Sequence, residues 1–196
     1  MKSTVKSLIT KSSIALSAIL IMPLATLAAT YNIDPVHSSA NFKIKHLDSS
    51  YVYGRFNDLK GTVNFDSANP AKSSVMIEID PNTVDTKVEQ RDNHLRSPDF
   101  LNVKEFPKMS FKSTAVKKVK NNLYNVKGNF TLHGVTKPIT VDFTVVGENK
   151  KGMKTEIRGG GETTFKIKRS DYGMKFMPQV IGDEVTITLA VEGIKQ

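Results

Sequence analysis

The chain is 196 residues long and carries a formal net charge of +9, from 28 Lys and Arg against 19 Asp and Glu, with no cysteine and no tryptophan. The lack of cysteine excludes a disulfide framework, thiolate-based zinc ligation and acylation on a cysteine. The basic residues are spread along the chain, with no basic helix and no zinc-finger spacing. That pattern describes a solvated basic surface rather than a nucleic-acid partner.

Lys2, Lys6 and Lys11 precede the apolar run IALSAILIMPLATLAA. A basic start, a short apolar stretch and small residues at its end predict a secretory signal over residues 1–29, cleaved near Ala28 or Ala29. The run is broken by Pro23 and is short for a membrane anchor, and no later stretch is apolar enough to span a bilayer. The expectation is one exported domain over residues 30–196, soluble in the periplasm or secreted, and stabilised by its core alone.

From there the dominant period is two. In SANFKIKH, Ala40, Phe42 and Ile44 alternate with polar residues; in GTVNFD, Val63 and Phe65 do. SVMIEID places Val75, Ile77 and Ile79 on one side. The next segment, VDTKVEQRDNHLRSPDFL, has no such alternation and predicts a helix. Thr86 or Asp85 can cap it, with Glu89 three residues after Thr86 as in a capping box, and Pro98 stops it by Ser97. Val88, Leu95 and the stem of Arg91 share a face, so the helix can lie across one end of a sheet. Its charges have a structural explanation in pairs such as Glu89–Arg96 or Asp92–Arg96.

The alternation then resumes. KMSFKSTAV shows Met109, Phe111 and Ala115, and NLYNVKGNFTLH shows Tyr124, Val126, Phe130 and Leu132. PITVDFTVV shows Ile139, Val141, Phe143 and Val145. GMKTEIRGGGETTFKIK reads as two strands, or as one bent at Gly159–Gly161, with Thr163, Phe165 and Ile167 on one face. EVTITLAVE carries Val185, Ile187, Leu189 and Val191. DSANP, KKVKNN, HGVTKP and GENKKG are turns. About eight half-buried strands result, with one wet and one dry face, as antiparallel sheets have. Two stacked sheets or one closed sheet would both cover the dry face.

Local motifs for chemistry are weak. His37, His46, His94 and His133 form no HExxH, and no GxSxG or SxxK supports a nucleophile. No catalytic residue and no metal site is assigned. Within the predicted helix, Arg91, His94 and Arg96 could grip an anionic head group. The stripe of phenylalanines on dry faces reads first as a packed core.

Several segments in order resemble the YceI family of exported, lipocalin-like polyisoprenoid-binding proteins. They are YNIDPVHSSANFKIKHL, YGRFNDLKGTVNFD, NTVDTKVEQRDNHLRSPDFLNVKEFPKMSF, GNFTLHGVTKPI and KIKRSDYGM. The resemblance covers nearly all of the chain after the signal. It implies an all-β fold: an antiparallel lipocalin-like β-barrel of about eight strands with a short helix near one end. It further implies a non-enzymatic carrier or sequestering protein, possible pairing as a homodimer, a link to stress response, and no cofactor. The ligand would be a long-chain isoprenoid, quinone or fatty-acid-like lipid. Under that reading Phe42, Ile44, Phe65, Ile77, Phe111, Phe130, Phe143, Phe165 and Ile187 form the apolar lining, with Arg91, His94 and Arg96 at a polar mouth. An enzyme acting on a barrel-bound lipid, and an interaction module without ligand, are the rival functions. One departure is Gly161, in a triple glycine where relatives commonly place a bulky apolar residue.

Overall fold

A computed structural model of the chain describes residues 28–149 and 156–196. The predicted signal lies outside these residues except for its last two alanines. The strands are β1 (Ala29–Ile33), β2 (Ser39–His46), β3 (Ser50–Phe56), β4 (Leu59–Phe65), β5 (Ser74–Ile79), β6 (Val84–Asp85), β7 (Met109–Lys120), β8 (Leu123–Leu132), β9 (Val135–Asn149), β10 (Arg158–Lys168) and β11 (Ile181–Lys195). The single α-helix described, α1, is Glu89–Arg96.

Eight strands close a ring in the order β1-β4-β5-β7-β8-β9-β10-β11, and β11 returns to β1. Every pairing is antiparallel. Closure removes the free strand edges that an open sheet would expose, and a ring of this size is just wide enough for side chains or one slender ligand. Along the edge opposite β10, β11 is long enough to serve two neighbours. Its Ile181–Ala190 stretch pairs with β2, and its Gly193–Lys195 end pairs with β1. β2 in turn pairs with β3, and β3 with the two-residue β6, so these three form a leaf rising from one rim of the barrel.

The strand count expected from alternation is right, but one member of the ring is not. SANFKIKH belongs to the leaf, and its place in the ring is taken by β1, ATYNI, too short to show a period. β3, SYVYGRF, also escapes a reading by alternation, because Tyr51 and Tyr53 put aromatic rings on its exposed face. Ala115 faces solvent rather than the core. A bulge between Ser113 and Ala115 shifts the parity of β7, and Val116 turns inward instead. GGGETTFKIK lies in one strand, β10, with a bulge in its pairing to β9 at Gly160/Gly161. Residues 150–155, which precede it in the chain and include part of the expected GENKKG turn, are outside the described part.

The HG pair is a two-residue hairpin turn between β8 and β9. His133 (φ 51°) and Gly134 (φ 71°) both adopt the left-handed conformation that matches the strand twist. The inward faces pack phenylalanine rings edge to face. Phe130 lies 6.2 Å from Phe165 and 5.6 Å from Tyr172, centroid to centroid.

Candidate functional site

Two cavities lie end to end. The first, about 220 Å³, occupies the barrel lumen. Phe65, Ile77, Phe111, Phe143 and Phe165 line it, supplied by β4, β5, β7, β9 and β10. The second, about 680 Å³, lies under the leaf and α1 and is lined by Ile44, Val52, Leu95, Phe100, Leu101, Met174, Met177 and Val180 among others. Phe42, Phe56, Met109, Phe130 and Ile187 line both, so they form a waist between the two spaces. The Phe42 and Phe56 rings meet there at 5.5 Å. Gly54 makes this possible: a methyl group on it would lie 2.3 Å from the tip of Phe42.

The nine residues expected on the apolar lining therefore all face these spaces, with Ile44 in the wider one. The three expected at a polar mouth separate. Arg91 and His94 line the wider cavity, and Arg96 does not.

The helix charges hold the end of the barrel together. Asp92 is buried, and its Oδ1 accepts from both the N–H and the hydroxyl of Thr86. Arg91 Nε donates to Thr86 Oγ1 at 2.7 Å and Nη2 to the Thr86 carbonyl at 2.8 Å. Arg96 donates to the carbonyls of Asn82 and Val84, at 2.8 and 3.0 Å, tying α1 to the outer edge of the leaf. Neither Glu89–Arg96 nor Asp92–Arg96 forms an ion pair among the described residues. The expected capping box is also replaced: Val88 stands at the N-cap with no side-chain cap, because Thr86 is engaged by Asp92. His94 Nε2 lies 2.8 Å from Asp99 Oδ2, and its ring packs edge-on against Phe100 and Phe176. Arg91, Asp92, His94, Arg96 and Asp99 each have a protein partner here.

Arg169 is a buried residue that alternation does not reveal, since KRSDYGM reads as a strand end and turn. Its Nε, Nη1 and Nη2 donate to the carbonyls of Gly182, Met174 and Ile181, each at 3.0 Å. Burial lowers its pKa, and the three carbonyls supply the polar surroundings that keep a guanidinium tolerable there. It fixes the segment that forms one wall of the wider cavity.

At the corner between β1 and β2, Asp34, His37 and Glu192 bring their ligand-type atoms close enough to hold a cation. The protein supplies its own. Arg158 Nη1 lies 2.6 Å from Asp34 Oδ2 and 2.7 Å from Glu192 Oε1. Hydrogen bonds from Arg158 and then His37 hold the Asp34 carboxyl well below the usual carboxylate range. This cluster joins the corner to β10 and β11 and sits apart from both cavities.

Gly161 has a packing reason. A methyl group there would lie 2.3 Å from the Thr144 carbonyl and 2.6 Å from the Phe143 ring. The space of a bulky residue is filled by Phe143 from the neighbouring strand.

A family model for the YceI-like domain matches residues 31–193. The protein YceI of Salmonella newport is 40% identical over 183 residues, spanning 92% of this chain and 95% of the relative. A Campylobacter jejuni YceI crystal structure matches with TM-score 0.68 and 32% identity, covering 79% of this chain and 91% of that one. A polyisoprenoid-binding domain from Saccharophagus degradans, implicated in plant cell wall breakdown, matches with TM-score 0.67 at 18% identity, covering 87% and 100%.

Proposed function

Because the chain belongs to the YceI-like domain family, we propose that it binds a long-chain isoprenoid or similar aliphatic lipid without covalent chemistry, and carries or sequesters it. The observation that carries this reading is the pair of adjoining, mostly apolar cavities, the lumen and the wider space under α1, which share the side chains of the waist. A tail can thread the lumen while the wider space takes the bulkier end. The Saccharophagus domain, described as polyisoprenoid-binding, shares the barrel, which supports the choice of ligand class.

The energetics need no chemistry along the tail. Each methylene removed from water gains ~0.8 kcal/mol. About twenty of them would gross roughly 16 kcal/mol, near the ceiling for non-covalent association, before the cost of ordering the chain. In this reading Arg91 and His94, which line the wider cavity together with Lys45, His46 and Gln90, meet a head group, Arg91 through Nη1, since Nε and Nη2 are committed to Thr86. The basic, signal-like start supports a periplasmic or secreted location.

The test is to express the full chain with its own leader in a Gram-negative host, recover it from the periplasmic fraction, extract it with organic solvent and analyse the extract by mass spectrometry. A stoichiometric prenyl or acyl species is the expected result. An empty barrel that also refuses added polyprenol would overturn the proposal.

A further inference from the structure

The end of the lumen away from α1 is built differently from the rest. Among the described residues, Glu148 is the single charged side chain that lines this cavity. A β-bulge puts it there. β9 pairs Gly147 with Gly160 and Val145 with Gly161, leaving Val146 looped out and 77% exposed. The parity of the strand resets, and Glu148 lands opposite Gly159, facing inward.

Tyr31 reaches it from the other side. Its hydroxyl donates to Glu148 Oε2. On the way the side chain crosses two glycines. A methyl group on Gly193 would lie 2.7 Å from Tyr31 Cβ, and one on Gly159 would lie 3.0 Å from the ring. The Tyr31–Glu148 link therefore starts on β1, runs along the inner wall over β11 and β10, and ends on β9 at the exposed rim, as a strap that narrows this end of the tunnel. Lys195 Nζ, 3.7 Å from Glu148 Oε2, braces the carboxylate. Burial first, then the Glu148 contact, raises the Tyr31 pKa. The hydroxyl, carboxylate and ammonium are turned on one another, as in a closure rather than a receptor for a polar end group.

We propose that the Tyr31–Glu148 strap is the stop that sets how long an aliphatic chain the barrel accepts, a specificity role that rests on the lipid-binding reading above. A tail entering from the wider cavity ends against the Tyr31 ring. Isoprene units beyond that point stay in water and gain nothing.

The full-length protein, stripped of endogenous lipid, is offered a mixture of linear polyprenols differing by single isoprene units, and bound species are read by native mass spectrometry. The wild type shows a length above which occupancy falls. Tyr31→Ala moves that cut-off outward by at least one unit, raising the first excluded length over the last accepted one by about tenfold or more. Glu148→Ala moves it the same way by less, because the ring remains but is untethered. Should Tyr31→Ala fail to fold, Glu148→Ala and Tyr31→Phe decide the question. A purely structural role would lower occupancy of all lengths alike and leave the cut-off in place; that result, or a wild type with no cut-off, overturns the stop. A wild type that binds no polyprenol overturns the lipid reading and the stop with it, whereas binding with an immovable cut-off overturns the stop alone.

Discussion

Replacing Asp92 tests whether the charged helix works as scaffold or as chemistry. Asp92 and Thr86 are 7% and 6% exposed, and Asp92 Oδ1 accepts two hydrogen bonds from Thr86. Hydrogen bonds to charged groups contribute about 1.5–3 kcal/mol each, and truncation also strands the Thr86 N–H in a dry site. A carboxylate in the first helical turn adds about 0.3–1 kcal/mol through the helix dipole. These terms overlap, so Asp92→Ala is expected to cost about 3–4 kcal/mol. Asp92→Asn, which keeps an accepting oxygen, should cost about 1–2 kcal/mol. For a domain of this size each kcal/mol lowers Tm by about 2–4 °C, which gives a fall of roughly 6–16 °C for the alanine variant. Urea titration and thermal unfolding measure both, and a double-mutant cycle with Thr86→Ala should show strong coupling. An Asp92→Ala protein within about 1 kcal/mol of wild type that nonetheless loses turnover of a bound lipid would refute the scaffold assignment.

Three further outcomes follow from the same geometry. Asp34 titrates below its ordinary range when folded, so the folded state binds fewer protons than the unfolded chain in that window. Stability should be fully present above about pH 4 and decline as the pH falls further, and Arg158→Ala should flatten that decline in a Tm-versus-pH series. Val63 lines the lumen; Val63→Trp should lower extracted or added lipid occupancy by about tenfold or more, at a stability cost of about 1–3 kcal/mol from overpacking. Gly161→Val should cost about 1–3 kcal/mol by driving into Phe143 and the Thr144 carbonyl, and Phe143→Ala should recover part of it in a combined variant, as measured by chemical denaturation.

The alternation of Val75, Ile77 and Ile79, or of Val185, Ile187, Leu189 and Val191, reports a strand's dry face directly, because each residue steps from one side of the sheet to the other. It is silent where the count slips. The bulge at Ser113/Ala115 turns Val116 inward, and the one at Val146 turns Glu148 inward, with no local signal in either stretch. Membership of the ring is also invisible to periodicity. β2 has the clearer pattern and lies in the leaf, whereas the five residues of β1 close the barrel. Arg91, His94 and Arg96 all stand on one helix. A helix turns its residues to different sides, so Arg91 and His94 face the cavity while Arg96 grips the carbonyls behind. Tyr31 and Glu148 meet from opposite ends of the chain, and Arg169 is buried by carbonyls of the segment that follows it, contacts that a reading by alternation does not bring together.

The seam between β1 and β11 joins the two extremities of the domain, Tyr31 beside Lys195 and Ile33 beside Gly193. Until those last few residues are synthesised, the half-built sheet has two raw margins and no inside. The container comes into being with its final strand, so the chain has no lumen to fill until its last residues have docked against its first.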